Sequence, residues 1–180
     1  MPAVDILGVR VDDVTVEEAV ACVAHFIREP GRCRQVSTVN PEFIMLARRQ
    51  QEFARVLAAS DLNLPDGANL VRAALVLGRP LRERVAGIDL IWRIAALAAE
   101  EGWRIFLLGA AEGIAAQAAA RLRELYPRLQ VAGEWAGSPD SREDNSQVAR
   151  VNDSGAQVLF VAYGAPAQDF WIARNRERAR

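Results

Sequence analysis

The stretch Asp61-Leu62-Asn63-Leu64-Pro65-Asp66-Gly67 decides how this chain folds on paper. Leu62 and Leu64 make a brief apolar strand that runs into a Pro-Asp-Gly turn, and a helical pattern follows from Asn69 to Leu77. Such a turn leaves the Asp66 carboxylate at the end of a strand, where open α/β sheets hold their ligands. Asp66 therefore has two readings, a side chain that only bonds its own turn and a side chain that does chemistry. Just upstream, Gln35 to Val39 reads as another strand. Asn40-Pro41-Glu42 then starts a helix, with a capping side chain followed by Pro at the first helical position, and the helix is expected to run to about Ala59. Two neighbouring strand ends would then present the Thr38 hydroxyl, the Asn40 amide and the Asp66 carboxylate to one crevice.

The pattern continues in both directions. Val4 to Val11 reads as a small strand pair or an edge strand, and Thr15-Val16-Glu17-Glu18 is a capping box opening a helix to about Arg28, stopped by Pro30-Gly31. His25, the only histidine, sits in that helix as a surface or packing residue. Beyond Gly78-Arg79-Pro80, Arg84 is available for phosphate or for an ion pair with Glu83 or Asp89. Asp89 marks the N-cap region of a helix reaching Glu101, with Gly102 as its stop. Trp103 to Leu108 is an apolar strand of the kind covered on both faces. Gly109-Ala110-Ala111-Glu112-Gly113 turns it into a helix ending near Tyr126-Pro127, and free amides at that helix start could seat a phosphate. Gln130 to Ala132 reads as a short strand. Trp135 to Asp144 reads as a loop in which Trp135 could pack or offer a base platform, followed by a helix to about Asn152. Gln157 to Ala162 is the last strand. Gly164-Ala165-Pro166 opens the last helix, with Gln168 and Asp169 in its first turn and Trp171 and Ile172 on an apolar face suited to a subunit or membrane contact. Alternating strands and helices imply an α/β fold, a mostly parallel sheet with helices on both faces and right-handed crossovers.

The totals narrow the chemistry. A chain of 180 residues suits one domain with a sizeable core, and 51% apolar with 25% charged residues is an ordinary globular balance. A net charge of −1 speaks against nucleic acid as a partner. The run Arg174-Asn175-Arg176-Glu177-Arg178-Ala179-Arg180 is read as a solvated helix end or an anion contact. Cys22 and Cys33 lack a CxxC spacing, so a reducing cytoplasm is the expected setting. No signal peptide is legible, and no apolar run approaches the roughly 20 residues that span a bilayer, which leaves peripheral association with a membrane. Neither a His/Cys zinc cluster, nor a Walker loop, nor an Asp-x-Asp metal pair, nor a serine elbow is present. What remains is a carboxylate, a hydroxyl, two amides, an arginine and helix N-termini. Those parts suit metal-free transfer from a diphosphate leaving group, with no cofactor.

Several ordered motifs resemble those of the WecG/TagA/CpsF glycosyltransferases. They are Thr38-x-Asn40-Pro41-Glu42, Leu64-Pro65-Asp66-Gly67, Glu83-Arg84-Val85-x-Gly87-x-Asp89-Leu90, Phe106-Leu107-Leu108-Gly109, Tyr126-Pro127 and Gly164-x-Pro166-x-Gln168. The resemblance implies a Rossmann-like, metal-independent, inverting enzyme. It would move an N-acetylmannosamine-type sugar from a UDP donor to a polyprenyl-diphosphate-linked N-acetylglucosamine at the inner face of the cell membrane, in the assembly of cell-surface polysaccharide such as teichoic acid. Carried over by position, Asp66 is the general base, Arg84 stabilises the diphosphate, and Thr38, Asn40 and Gln168 line the sugar pocket. Gly109 lies near the nucleotide, and Gly164 and Trp135 join the substrate-binding set. The family's usual Pro-Lys-Gln-Glu is here Pro166-Ala167-Gln168-Asp169, and family chains continue past the position of Arg180. Those two departures motivate a second expectation, a non-catalytic nucleotide-sugar binding module. A third, a dehydrogenase or methyltransferase on a similar fold, is disfavoured by the incomplete Gly fingerprint. A homo-oligomer is compatible with the sequence.

Overall fold

The computed structural model describes residues 1–29 and 31–179. Pro30, expected to stop the first helix, and Arg180, the last of the terminal arginines, lie outside the described residues. The chain divides into two units, one made of Met1–Arg28 with Arg34–Ile91 and the other holding the chain from Trp92 onward.

In the first unit, β1 (Ala3–Ile6) and β2 (Val9–Asp12) form an antiparallel hairpin. Leu7 and Gly8 both take positive φ, as a tight hairpin turn demands, and Asp5 accepts the Gly8 N–H at 2.9 Å. Helix α1 (Val16–Arg28) opens with the expected capping box: Glu18 N–H donates to Thr15 Oγ1 at 3.2 Å, and Thr15 N–H donates to Glu18 Oε2 at 3.0 Å. Strand β3 (Val36–Val39) pairs in parallel with β4 (Leu62–Pro65), with Thr38 opposite Leu64 and Val39 opposite Pro65. All four β4 residues are buried, as in a strand covered on both faces. Buried Asn63 ties β4 to the hairpin, since its N–H donates to Asp12 Oδ2 at 2.7 Å and its Nδ2 donates to Arg10 O and Leu57 O. Helix α4 (Ala68–Val76) follows, and then α5 (Gly87–Glu101), of which Gly87 to Ile91 belong to this unit and the rest to the second. Asp89 lies within the first turn of α5, not at its N-cap, because the helix already begins at Gly87.

The helix expected from Pro41 to Ala59 is two helices, α2 (Pro41–Arg49) and α3 (Gln51–Ala59), broken at Gln50 with φ −125° and ψ 100°. The polar run Arg48-Arg49-Gln50-Gln51-Glu52 interrupts the apolar stripe, and a straight helix would carry Phe43 and Phe53 to different faces. With the break, both rings enter the core and meet edge to face at 5.3 Å. The lost helical bonds are worth about 1 kcal/mol each. Burial contributes about 1.5–3 kcal/mol per ring, which decides the matter.

The second unit comprises β5 (Arg104–Gly109), α6 (Ile114–Leu125), β6 (Gln130–Trp135), a 3-10 turn (Ser141–Glu143), α7 (Asp144–Ser154), β7 (Val158–Ala162) and α8 (Ala167–Asn175). Its strands are parallel in the order β6-β5-β7, so the chain leaves β5 toward one side and returns on the other. That reversal is the Rossmann-type switch point, at the carboxyl ends of β5 and β7. Strand β6 is longer than expected and includes Trp135. Gly133, which reads as a strand end, sits inside the strand beside a register shift, where the Phe106 ring would lie 2.6 Å from any added Cβ.

Two expectations for the C-terminal region are corrected. Trp171 is 1% exposed and packs in the core with Phe106, Leu108, Val148 and Val151, so it offers no subunit or membrane contact. Helix α8 has to face the sheet with its largest apolar side chain. The terminal arginines are not a simple solvated end: Arg176 is buried, while Arg174 and Arg178, though exposed, are engaged, Arg174 with Asp144 through two bonds at 2.6 and 3.0 Å and Arg178 with Asn145 and Asn175.

Candidate active site

The carboxyl ends of β3 and β4 lie side by side in the first unit, and three sequence-selected residues sit there. The backbone ladder runs one residue past the strands, with Asp66 N–H donating to Val39 O at 2.7 Å. This fixes the Cα of Asp66 next to the end of β3, one residue from Asn40. The segment from Arg84 to Gly87 is laid along the end of β4, because Val85 N–H donates to Pro65 O at 2.8 Å. Gly87 then closes the arrangement. Its N–H donates to Asp66 Oδ2 at 3.2 Å, and an added Cβ would come within 3.0 Å of Thr38 Cγ2. A side chain at position 87 would push Thr38, so the close approach of α5 to β3 requires glycine. Asp66 and Thr38 thus share Gly87 as a neighbour.

Asn40 has a double position. Its Oδ1 accepts the Phe43 N–H at 3.0 Å, capping α2, and the residue also lines a cleft of about 350 Å³ with Pro41, Glu42, Gly67, Ala68 and Asn69. Two helix N-termini, those of α2 and α4, open on this cleft, so backbone N–H groups and the positive ends of both helices face whatever enters it. Half-exposed Arg84 donates to Asp89 Oδ2 at 3.3 Å, an exposed pair worth little and easily exchanged. Glu83, the other partner considered for Arg84, instead accepts the Val16 N–H at the start of α1 at 3.1 Å. Among the described residues, no three of His, Cys, Asp or Glu gather as a metal cage.

Gly109, Gly164, Gln168 and Trp135 all belong to the second unit. Gly109, at φ +106°, lies so close to the Ala162 backbone that an added Cβ would sit 2.6 Å from its carbonyl carbon. The following Ala110 N–H donates to Ala162 O at 2.8 Å, locking the ends of β5 and β7 together. Gln168 folds back on Gly164: its side-chain Oε1 accepts the Gly164 N–H at 3.1 Å, while its own N–H donates to Gly164 O at 3.0 Å. Trp135 ends β6 and lines a second cleft of about 420 Å³ with Glu112, Gly113, Ala115, Glu134, Gly137 and Glu143. One face of its ring is covered by the Arg150 guanidinium at 4.4 Å, a cation–π contact.

Sequence reasoning missed Gly87 as a structural partner of Asp66, and Asn69 and Glu42 as cleft walls. The Gly87 signal existed in the Glu83-Arg84-Val85-x-Gly87 run, but a glycine's neighbours are not legible from spacing. The carboxylates Glu112, Glu134 and Glu143 were also missed. They are far apart in sequence, and only the fold of the second unit gathers them.

Comparison with known proteins fits this picture. The sequence model described as the glycosyl transferase WecG/TagA/CpsF family matches residues 4–180. A protein of Bacillus spizizenii named N-acetylglucosaminyldiphosphoundecaprenol N-acetyl-beta-D-mannosaminyltransferase is 33% identical over 142 residues, covering 78% of this chain and 54% of that protein. The Bacillus subtilis protein of the same name is 32% identical over the same shares. A Staphylococcus aureus protein of that name is 30% identical over 176 residues, covering 97% of this chain and 68% of the relative. The chain thus spans about half the length of the two Bacillus relatives it matches.

Proposed function

Because the chain belongs to the WecG/TagA/CpsF glycosyl transferase family, we propose that it transfers an N-acetylmannosamine-type sugar from a UDP donor to a polyprenyl-diphosphate-linked N-acetylglucosamine, inverting the anomeric centre without a metal ion. The observation that carries this reading is Asp66. Its carboxylate stands at a strand end, oriented by the Gly87 amide and close to Thr38. The relatives named above act, by their names, on a lipid-diphosphate N-acetylglucosamine and transfer N-acetylmannosamine.

In this mechanism Asp66 takes the proton from the acceptor hydroxyl as that oxygen attacks the anomeric carbon. The bond from that carbon to the UDP oxygen breaks on the opposite face, and the leaving diphosphate keeps the electron pair. Gly87 holds one carboxylate oxygen and leaves the other for the acceptor. Arg84 leaves its weak pair with Asp89 to neutralise charge on the diphosphate. The Thr38 hydroxyl and the unused Asn40 amide group hold sugar hydroxyls. Gly109, Gly164, Gln168 and Trp135, all in the second unit, are the further substrate-binding residues that the family resemblance implies. The protein works at the inner membrane surface as a peripheral enzyme of cell-surface polysaccharide assembly. The test is incubation of the chain with UDP-N-acetylmannosamine and a short-chain lipid-diphosphate N-acetylglucosamine analogue. Acceptor-dependent UDP release and a β-linked disaccharide are expected from an α-linked donor. UDP binding with no transfer at high enzyme concentration would contradict the proposal and leave a binding module.

A further inference from the structure

The C-terminal end of α4 presents Leu75, Val76 and Leu77 to solvent, 65, 85 and 48% exposed. The other exposed large apolar residues among those described, such as Leu7, Met45 and Ile88, stand singly along the chain. Three in a row at a helix end are unusual for a surface that meets only water. The charges next to them along the chain all have one sign, the acids that reach this stretch, Asp13 and Glu18, being held by Arg82. Arg72 lies three and four positions before Leu75 and Val76, on the same face of the helix, and Arg79 follows directly after Gly78. From Ala68 to Arg82 there is no acidic residue. Both Arg72 and Arg79 are exposed, and neither has an ion-pair partner among the described residues.

The backbone of this helix end is also closed on itself. Leu77 N–H donates to Ala73 O at 3.0 Å, Gly78 N–H to Leu75 O at 3.0 Å, and Arg79 N–H to Ala74 O at 2.8 Å. This six-to-one closure satisfies the carbonyls of Ala73, Ala74 and Leu75, which a helix end ordinarily leaves to water. A helix end with three of its last carbonyls satisfied, three apolar side chains and unpaired cations enters a headgroup boundary, where the remaining carbonyls still find water, at reduced cost.

We propose that the end of α4 docks on an anionic lipid bilayer. Leu75, Val76 and Leu77 enter the boundary between headgroups and acyl chains, and Arg72 and Arg79 meet anionic headgroups. The inference rests on the proposed function for its purpose, since a polyprenyl-linked acceptor resides in a bilayer. The occupant is a lipid surface and not a second copy, because two like-charged arginine flanks repel their copies. Three side chains also fall far short of the roughly 800 Å² per partner of a stable interface.

Sedimentation of the chain with phosphatidylcholine vesicles, with and without phosphatidylglycerol, tests this directly. Binding is expected only with the anionic lipid and should weaken as salt rises. The Val76→Glu variant, altered at an exposed position and checked for an unchanged thermal melt, should bind at least tenfold more weakly. Replacing Arg72 and Arg79 by Gln should weaken binding roughly 30-fold. Failure of the wild-type chain to bind anionic vesicles would overturn the proposal, as would equal binding by Val76→Glu. Concentration-dependent dimerisation abolished by Val76→Glu, without vesicle binding, would overturn it in favour of a second copy. Transfer to a water-soluble acceptor analogue separates the two readings. Val76→Glu should retain that activity, whereas a chain that binds vesicles but transfers nothing keeps its docking surface and loses the enzymatic function.

Discussion

At Asp66 the carboxylate receives one neutral donor, the Gly87 amide at 3.2 Å, and the same glycine touches Thr38. Position 87 therefore controls two candidate catalytic groups at once. Gly87→Ala should force Thr38 or α5 to move, costing about 1–3 kcal/mol in urea unfolding. Its transfer rate should fall further than the stability loss explains. A variant with wild-type rate and stability would show that Thr38 and Asp66 are not held by this contact. A second residue-scale prediction concerns Asp144, nearly buried at the start of α7. Burial alone would raise its carboxyl, but the Arg174 guanidinium, at 2.6 and 3.0 Å, holds it below the usual carboxylate value. Since the folded-state value lies below the unfolded one, the stabilisation is fully present above about pH 4 and is lost as pH falls through the folded-state value. Arg174→Met should cost about 1.5–3 kcal/mol at neutral pH, and the gap to wild type should close in acid. A gap that stayed constant down to the acid transition would show that the pair is not the cause. Half-exposed Asp140, held down to about 2 by its hydrogen bonds with Arg142, is expected to report locally on the loop after β6 without setting stability.

At the level of elements, the locked ends of β5 and β7 give the sharpest stability forecast. Gly109→Ala meets the Ala162 backbone at 2.6 Å and a φ of +106°, so a loss of roughly 2–5 kcal/mol is expected, read as a lowered denaturation midpoint. Trp171→Ala should cost about 3–5 kcal/mol by opening a cavity against Phe106 and Val148. A loss under 1 kcal/mol would restore Trp171 to the surface role first expected of it. The elements that the sequence announced are those with local signatures: the Thr15 capping box, the Asn40-Pro41 helix start, the Pro65-Asp66-Gly67 turn and the apolar run of β5. Each depends on neighbours a few residues away. The break at Gln50 was illegible because the burial of Phe43 against Phe53 causes it, not any helix-breaking residue. The full length of β6 was illegible because Gly133 serves the Phe106 ring, a contact made across the sheet. Trp171 and the terminal arginines were misplaced for the same reason, since the partners that engage them are distant in sequence: Val148 and Phe106 lie 23 and 65 positions before Trp171, and Asp144 lies 30 before Arg174. In the candidate site, Asp66, Thr38 and Asn40 were legible as strand-end groups, and the amide that orients Asp66 was not.

For the molecule as a whole, each of the two α/β units carries candidate site groups of its own. The first has a carboxylate and hydroxyl near paired helix N-termini, and the second has a Rossmann-type switch point at the ends of β5 and β7 and, separately, a tryptophan-lined cleft at the end of β6 and the start of α6. A net charge of −1 spread over the chain leaves recognition of an anionic donor to local features: helix ends, Arg84 and strand-end amides. The family match extends over residues 4–180 and so takes in both units. The central claim is that the Asp66 carboxylate removes the acceptor's proton, and its most direct test is the turnover of Asp66→Asn. This substitution keeps the shape of the side chain and a group for the Gly87 amide, so folding and UDP affinity should match wild type. The rate of transfer from UDP-N-acetylmannosamine to the lipid-diphosphate acceptor analogue should fall about 10²- to 10⁴-fold. Transfer at the wild-type rate by a correctly folded Asp66→Asn chain would contradict the account.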